Sequence, residues 1–263
     1  MELKPQDVTK HKQEALNDMD EYLTQCINLD FQHLKKANLI SYWLRTYNQY
    51  LQEEENFDSS KLKSYSHGDV IKANLGFNIG NEEGGLHYCV VLDKRNSKSY
   101  STLTVVPLTS VKENSKIHST SVPLGNEIYK NILEKASQIL SSINKKLVSD
   151  MEDHIAKTEC VIAKFENDIN SINIDEIKKL HVSEEDKTQF HKECVKIRET
   201  EKIINELEQM KKLGSIALVN QITTISKQRI YDPKNDFDIL AGIKISDDKM
   251  ALIDEKIKKL FLN

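Results

Sequence analysis

An α+β fold is predicted, with helices segregated from a small antiparallel β part, and three observations carry that reading. The chain has 263 residues and eight glycines, none before Gly68 and none between Gly125 and Gly214. Both glycine-free stretches carry apolar residues at three- and four-residue intervals, the period of helices that pack along one face. The remainder carries short runs rich in β-branched residues, bounded by turn formers, which read as strands.

In the first stretch Val8, Ala15, Leu16, Met19, Leu23 and Ile27 recur at helical spacing. Phe31, Leu34, Ile40, Trp43, Leu44, Tyr47 and Leu51 then do the same. Asn28-Leu29-Asp30 marks the break, with Asp30 placed to cap the second helix. The acidic run Glu53-Glu54-Glu55 and Asp58-Ser59-Ser60 close that helix and lead into the β part. Strands are expected at Asp69–Asn74, His87–Leu92, Thr102–Pro107, around His118–Val122, and Ser215–Gln221. Short strands of this number suggest a small curled sheet or a partly open barrel. Ser246 stands where a cap would start a last helix, with Asp247 and Asp248 in its first turn. Lys256, Lys258 and Lys259 follow near its end, the charge order that a helix dipole favours.

The second stretch holds the longest stripe: Ile128, Ile132, Ala136, Ile139, Ile143, Leu147, Met151, Ile155, Ile162, Phe165, Ile169 and Ile172. That spacing predicts a long helix of coiled-coil type, and 45 helical residues would extend roughly 68 Å. The stripe breaks around 173–183 and resumes with Phe190, Cys194, Ile197, Ile204, Leu207 and Met210. Two helices leaving and re-entering the same body are expected to pack as an antiparallel hairpin. A short helix, Asp175–Leu180, or the N-terminal helices would cover the remaining stripe. A partner-binding or dimerising arm and a purely intramolecular support stand as equal readings. The organisation expected is an N-terminal helical extension at 1–62, a discontinuous β unit at 63–125 and 214–263, and an inserted hairpin at 126–213.

Composition narrows the function classes. Hydrophobic residues make up 38% and charged residues 30%, which suits a helix-rich chain with a limited core. The net charge is −4, so a nucleic-acid site has to be a local basic patch. No apolar run approaches the ~20 residues of a membrane helix, and the first residues carry no apolar signal region. A cytoplasmic protein without membrane contact is the expectation. Cys26, Cys89, Cys160 and Cys194 lack metal-like spacing and sit at apolar positions, so reduced thiols are expected.

The densest signal is the segment 68–92, where five glycines fall within eighteen residues between two apolar runs. A loop of this kind turns sharply and lets the backbone approach a ligand. It carries Glu82 and Glu83, then Gly84-Gly85, and ends at His87 on the next strand, a residue that titrates near neutral pH.

Read together, five pieces of the β part resemble the PemK/MazF family of toxin endoribonucleases. They are Gly68-Asp69-Val70, Ile79 to Gly85, and Val106-Pro107-Leu108-Thr109-Ser110. After the insertion come Ser215 to Ile222 with Thr224 to Ile230, and the closing Ser246 to Met250. The resemblance covers about 110 residues; the N-terminal helices and the segment 126–213 fall outside it. It implies a small SH3-like β-barrel with a C-terminal helix, acting as a homodimer. It also implies cleavage of single-stranded RNA without a metal or cofactor. The ribose 2′-OH attacks the adjacent phosphate and leaves 2′,3′-cyclic phosphate and 5′-OH ends, and an antitoxin protein blocks the RNA groove.

Carried over residue by residue, the resemblance puts His87 at the first catalytic position, where the family usually has arginine. Thr109 matches the second catalytic position and Ser110 stands beside it as a further donor. Glu82, Glu83, Gly84 and Gly85 border the RNA groove, and Gln221 matches a polar residue near the active face. Histidine shuttles protons better than a guanidinium at neutral pH but lacks its planar fork for phosphate. Another cation must supply that clamp, and Lys94, Arg95 and Lys112 are the nearest in sequence. Thr223 is a second position where relatives carry arginine. Two further readings stay open: a catalytically inactive binding or regulatory module acting through the helical hairpin, and N-terminal helices that cover the groove as a built-in inhibitor.

Overall fold

The described residues of both glycine-free stretches are largely helical, as their periodicity predicts. The structure is a computed structural model describing residues 3–111, 117–167, 184–210 and 214–262. Helices α1 (Pro5–Ile27) and α2 (Phe31–Glu53) form the N-terminal pair. The Asp30 carboxylate accepts the backbone N–H groups of Gln32 at 2.8 Å and His33 at 3.0 Å, so it caps α2. Helix α3 (Glu127–Asn167) runs 41 residues and packs against α4 (Glu184–Met210), with Lys146 paired to Glu193 between them. The expected short helix Asp175–Leu180 and the stripe residues Ile169 and Ile172 lie outside the described residues.

The hairpin α3–α4 leaves and re-enters through two glycines. Gly125 and Gly214 both have positive φ, and a Cβ on Gly214 would lie 2.8 Å from the Gly125 carbonyl oxygen. Only a residue without a side chain lets the outgoing and returning chains touch there. Helix α5 (Asp247–Phe261) closes the chain with acids in its first turn and Lys258 and Lys259 in its last. Ser246 occupies its cap position without capping it. Its hydroxyl instead donates to the Glu127 carboxylate at 2.9 Å, because the first turn of α3 brings that acceptor within reach.

Among the described residues seven strands form one antiparallel sheet: β1 (Val70–Asn74), β2 (Leu86–Val91), β3 (Thr102–Ser110), β4 (Ser121–Gly125), β5 (Ser215–Leu218), β6 (Thr223–Ser226) and β7 (Ile230–Asp232). The order is β4-β5-β3-β2-β1-β7, with β6 also paired to β3. β4 and β7 are the ends of this path and do not pair, so the described strands do not close a barrel. β3 runs to Ser110 rather than stopping at Pro107, because its last residues take β5 as a new partner. The fourth strand starts at Ser121, after a turn at Ser119 and Thr120. The fifth stops at Leu218, where Val219–Gln221 form a 3₁₀ turn. β6 and β7 went unpredicted, since four and three residues are too few to show an alternation.

The sheet is buried on both faces. Val70, Val90, Val106 and Leu108 pack under Ile128 and Ile132 of α3 and Met250 and Ile253 of α5. The alternate residues Ile71, Ala73, Cys89, Val91, Leu103 and Val105 pack with Ile225, Ile230 and Tyr65. That explains the near-continuous apolar run of β2, which a half-buried strand would break by alternation. Cys26 and Cys89 are free and buried, Cys194 is free and half-buried, and burial pushes the Cys89 thiol up to about 12. The side chain of Cys160 lies outside the described residues. Among the described residues no helix is long and apolar enough to cross a membrane.

Helix α2 docks beside the glycine-rich loop. The Trp43 ring packs against Gly76 and under the Arg229 guanidinium, 5.5 Å from its centroid. The Gln228 amide donates to the Tyr50 carbonyl at 2.9 Å.

Asp232 on β7 makes stability depend on pH. Its carboxylate accepts the Leu240 N–H at 3.1 Å, and burial raises it from 3.8 to about 6, with Asp238 adding to the shift and Lys72 and Lys135 opposing it. The folded state therefore favours the protonated carboxyl. That contribution is complete below pH 3.8 and is lost as pH rises through about 6. Asp232→Asn keeps the acceptor without the charge. It should stabilise the protein at pH 8 by on the order of 2–3 kcal/mol and leave it nearly unchanged at pH 4, read by urea denaturation at both values.

Candidate active site

A pocket opens where the pairing of β2 with β3 ends. The ladder runs Val91↔Val105, Val90↔Val106, Cys89↔Pro107 and stops. Pro107 has no N–H to offer a continuing ladder. Past it, β3 pairs with β5 through Leu108↔Ala217, Thr109↔Ile216 and Ser110↔Ser215, while the start of β2 stays with β1. Between the parted strands lies an open pocket of about 340 Å³. Lys72, Leu86, His87 and Tyr88 line it from β1 and β2, and Leu108, Thr109 and Ser110 from β3. Ile128 and Tyr129 from the first turn of α3, with Ser215 of β5, complete it.

His87 is held at both ring nitrogens. Nδ1 lies 3.0 Å from the Leu108 carbonyl oxygen and Nε2 lies 3.1 Å from Glu83 Oε1. Both partners are acceptors, so the ring satisfies them together only when each nitrogen carries a proton. The imidazole thus takes the carbonyl that the interrupted ladder leaves on β3, and its outer nitrogen is paired with a carboxylate at the pocket rim.

The loop that brings Glu83 there is closed at its neck. Leu75 N–H donates to the Gly85 carbonyl at 2.7 Å and Gly85 N–H to the Gly76 carbonyl at 2.6 Å. Gly85 has φ +90°, and a Cβ on Gly84 would meet the Gly76 oxygen at 2.7 Å, so the Gly-Gly pair is required by the turn itself. The two acids part company. Glu82 accepts the Ile79 N–H of its own turn at 3.3 Å, whereas Glu83 reaches His87. Gln221 ties the loop from the β5–β6 turn: its carbonyl oxygen accepts the Glu83 N–H and its amide donates to the Asn81 carbonyl, both at 3.2 Å. Gln221 therefore positions Glu83, and both ends of its amide are in use.

The structure brings His87, Thr109 and Ser110 together from two separate segments, and adds two residues that sequence reasoning missed. The Ser110 hydroxyl lies 3.1 Å from the Tyr129 hydroxyl, which arrives on the first turn of α3. Lys72 supplies a cation to the pocket; its ammonium sits 5.3 Å from the Tyr88 ring centroid and 5.8 Å from that of Tyr231. A signal was available, since Lys72 is the one charged residue in β1 and stands beside the Ala73↔His87 pair. Lys94 and Arg95 are not in the pocket. They are exposed beyond the opposite end of β2, which at ~3.3 Å per residue puts them roughly 20 Å from His87. Thr223 pairs with Val105 on β6 and does not line the pocket. Lys112 lies outside the described residues. Among the described residues none of α1 or α2 lines the pocket.

Because one amide holds the loop at two points, Gln221→Ala should free it locally. The expected result is faster backbone amide exchange at Glu83 and its neighbours, corresponding to about 1–2 kcal/mol of lost local protection. Exchange in β1 and β2 should stay unchanged.

No curated protein matches the chain at a significant level. A family model does match, over β1 to β4 and most of α3, and ends before β5. The match, over residues 66–161, is to the PemK-like, MazF-like toxins of type II toxin–antitoxin systems.

Proposed function

We propose that the chain is a toxin-type endoribonuclease that cuts single-stranded RNA without a metal, with His87, Thr109 and Ser110 at its centre and an antitoxin protein as its natural inhibitor. The observation that carries this reading is the convergence of these three residues, with Lys72 and Tyr129, on one pocket at the end of the β2–β3 ladder. On this reading the sheet is an SH3-like barrel. Its support is that β5, the 3₁₀ turn and β6 follow β3 from Ser110 back to Thr102 as one interrupted strand. The catalytic unit is then 63–125 with 214–263, and 1–62 and 126–213 are additions to it; the contact of Gly125 with Gly214 supports that division.

Cleavage needs a base for the 2′-OH, an acid for the leaving 5′-oxygen and donors for the charged phosphorane. In-line displacement puts the attacking and leaving oxygens on opposite sides of phosphorus. His87 and Glu83, 3.1 Å apart, therefore serve one end. The Glu83 carboxylate takes the 2′-OH proton, with the His87 imidazolium beside it to stabilise the oxygen as it attacks. The P–O5′ bond then breaks, and the 5′-oxygen takes its proton from Lys72, the cation that lines the pocket. Thr109 and Ser110 donate to the non-bridging oxygens. The products are a 2′,3′-cyclic phosphate and a 5′-OH, and the proton on Glu83 returns to solvent as Lys72 is reprotonated. Lys72 thereby fills the need left by histidine in place of the family's arginine, as a point charge and not as a fork.

The test is incubation with single-stranded RNAs of varied sequence in EDTA. Wild type should yield 2′,3′-cyclic phosphate ends, and His87→Ala and Thr109→Ala should each slow cleavage by about 10² or more. RNA left intact by wild type, or cut equally well by both variants, would sink the assignment. Tight binding of RNA by wild type with no cleavage would instead favour the inactive binding module.

A further inference from the structure

Gly76, just past β1 at the start of the glycine-rich loop, is buried and held from four directions. Its N–H donates to the Asn74 side-chain oxygen at 3.0 Å, and its carbonyl accepts the Gly85 N–H that closes the neck. The other two contacts come from elsewhere in the fold. A Cβ on Gly76 would lie 2.9 Å from the Trp43 ring of α2 and 3.0 Å from the Arg229 guanidinium. Arg229 lies over that ring and donates from Nε to the Asn74 carbonyl at 2.7 Å, so ring, guanidinium and neck form one packed unit. The φ of Gly76, +89°, lies in a region that glycine enters freely, so packing has to fix what its own backbone does not.

The neck in turn fixes Glu83. The Asn78 amide donates to the Leu75 carbonyl at 3.4 Å and to the Glu83 carbonyl at 2.6 Å. A shift of the neck therefore moves Glu83, whose carboxylate sits 3.1 Å from His87. Among the described residues none of α2 lines the pocket, so its reach to the site runs through this loop. We propose that Trp43 is a positioning residue for the candidate site: α2 seats the neck of the loop and so holds Glu83 against His87. The N-terminal extension thereby supports the chemistry, the reverse of an inhibitor that covers the groove. The catalytic consequence rests on the proposed part of Glu83 in RNA cleavage; the seating of the loop does not.

Two measurements on the full chain separate these. Hydrogen exchange in Trp43→Ala should be about 10-fold faster or more at Gly76 and Gly85. Val91 and Leu92, whose N–H groups bond Asp69 and Thr104, should exchange as in wild type. Trp43→Phe keeps a ring against Gly76 and should restore most of the protection. Cleavage of single-stranded RNA by Trp43→Ala should slow by about 10-fold or more. That loss should vanish in a Glu83→Gln background, because both substitutions act through one carboxylate. Unchanged exchange at the neck, or exchange that rises equally at Val91 and Leu92, overturns the proposal. So does cleavage that is faster or unaltered in Trp43→Ala, or a loss that persists in full beside Glu83→Gln. Wild type that cuts no RNA removes the catalytic role together with the proposed function, whereas faster exchange confined to the neck would still establish the seating.

Discussion

β3 is the strand on which the sheet depends. Its nine residues pair with β2 through Val105–Pro107, with β6 through Thr102–Val105 and with β5 through Leu108–Ser110. One edge of β3 is therefore covered along its length by a returning chain segment that is more than 100 residues distant in sequence. The other edge is covered only as far as Pro107. An imino nitrogen in a central strand would ordinarily weaken it. Here it coincides with the point where β2 and β3 separate, so the gap in the ladder becomes the pocket. The end of the β2–β3 ladder and the candidate site are the same feature.

The elements that were legible in the sequence are those defined by local pattern. The two N-terminal helices, the Asp30 cap and the long stripe from Ile128 follow from spacing and end chemistry alone, and the structure places them accordingly. Within the candidate site, His87, Thr109 and Ser110 were named through the resemblance of their segments to a family's motifs, and all three line one pocket. Residues whose role depends on distant partners were not legible. Gln221 bonds to Asn81, 140 positions away, and nothing in its own neighbourhood announces that. Lys72 looked like an ordinary polar residue in a strand, and Lys94 and Arg95 looked close to His87 because sequence distance ignores the direction of β2. Ser246 had the identity and position of a cap, yet a carboxylate 119 residues earlier took its hydroxyl.

The electrostatics of the pocket follow from the same geometry. An arginine at position 87 would bring its own fork and charge to a phosphate. A histidine there is a smaller group that the fold must hold in place, and it is held by one carbonyl from β3 and one carboxylate from the loop. The carboxylate partly cancels the positive charge that the ring carries when it satisfies both acceptors. A polyanionic substrate would then meet less positive charge at this position than an arginine offers, which gives Lys72 greater weight. Its ammonium lies over two aromatic rings, Tyr88 and Tyr231, contacts that orient the cation without neutralising it.

The inserted hairpin is joined to this chemistry at its root. Its first turn supplies Ile128 and Tyr129 to the pocket, Ile132 to the core beneath the sheet, and Glu127 to the backbone and hydroxyl of Ser246 ahead of α5. A surface excursion would leave at Gly125 and return at Gly214 without contributing side chains. The first turn of α3 supplies part of the pocket wall, and the Tyr129 hydroxyl beside Ser110 means that α3 cannot shift along its axis without changing the donors that face the pocket. A contact made further out on α3 is therefore connected to the site through one continuous helix. The hairpin's influence on the pocket would be transmitted through its first turn.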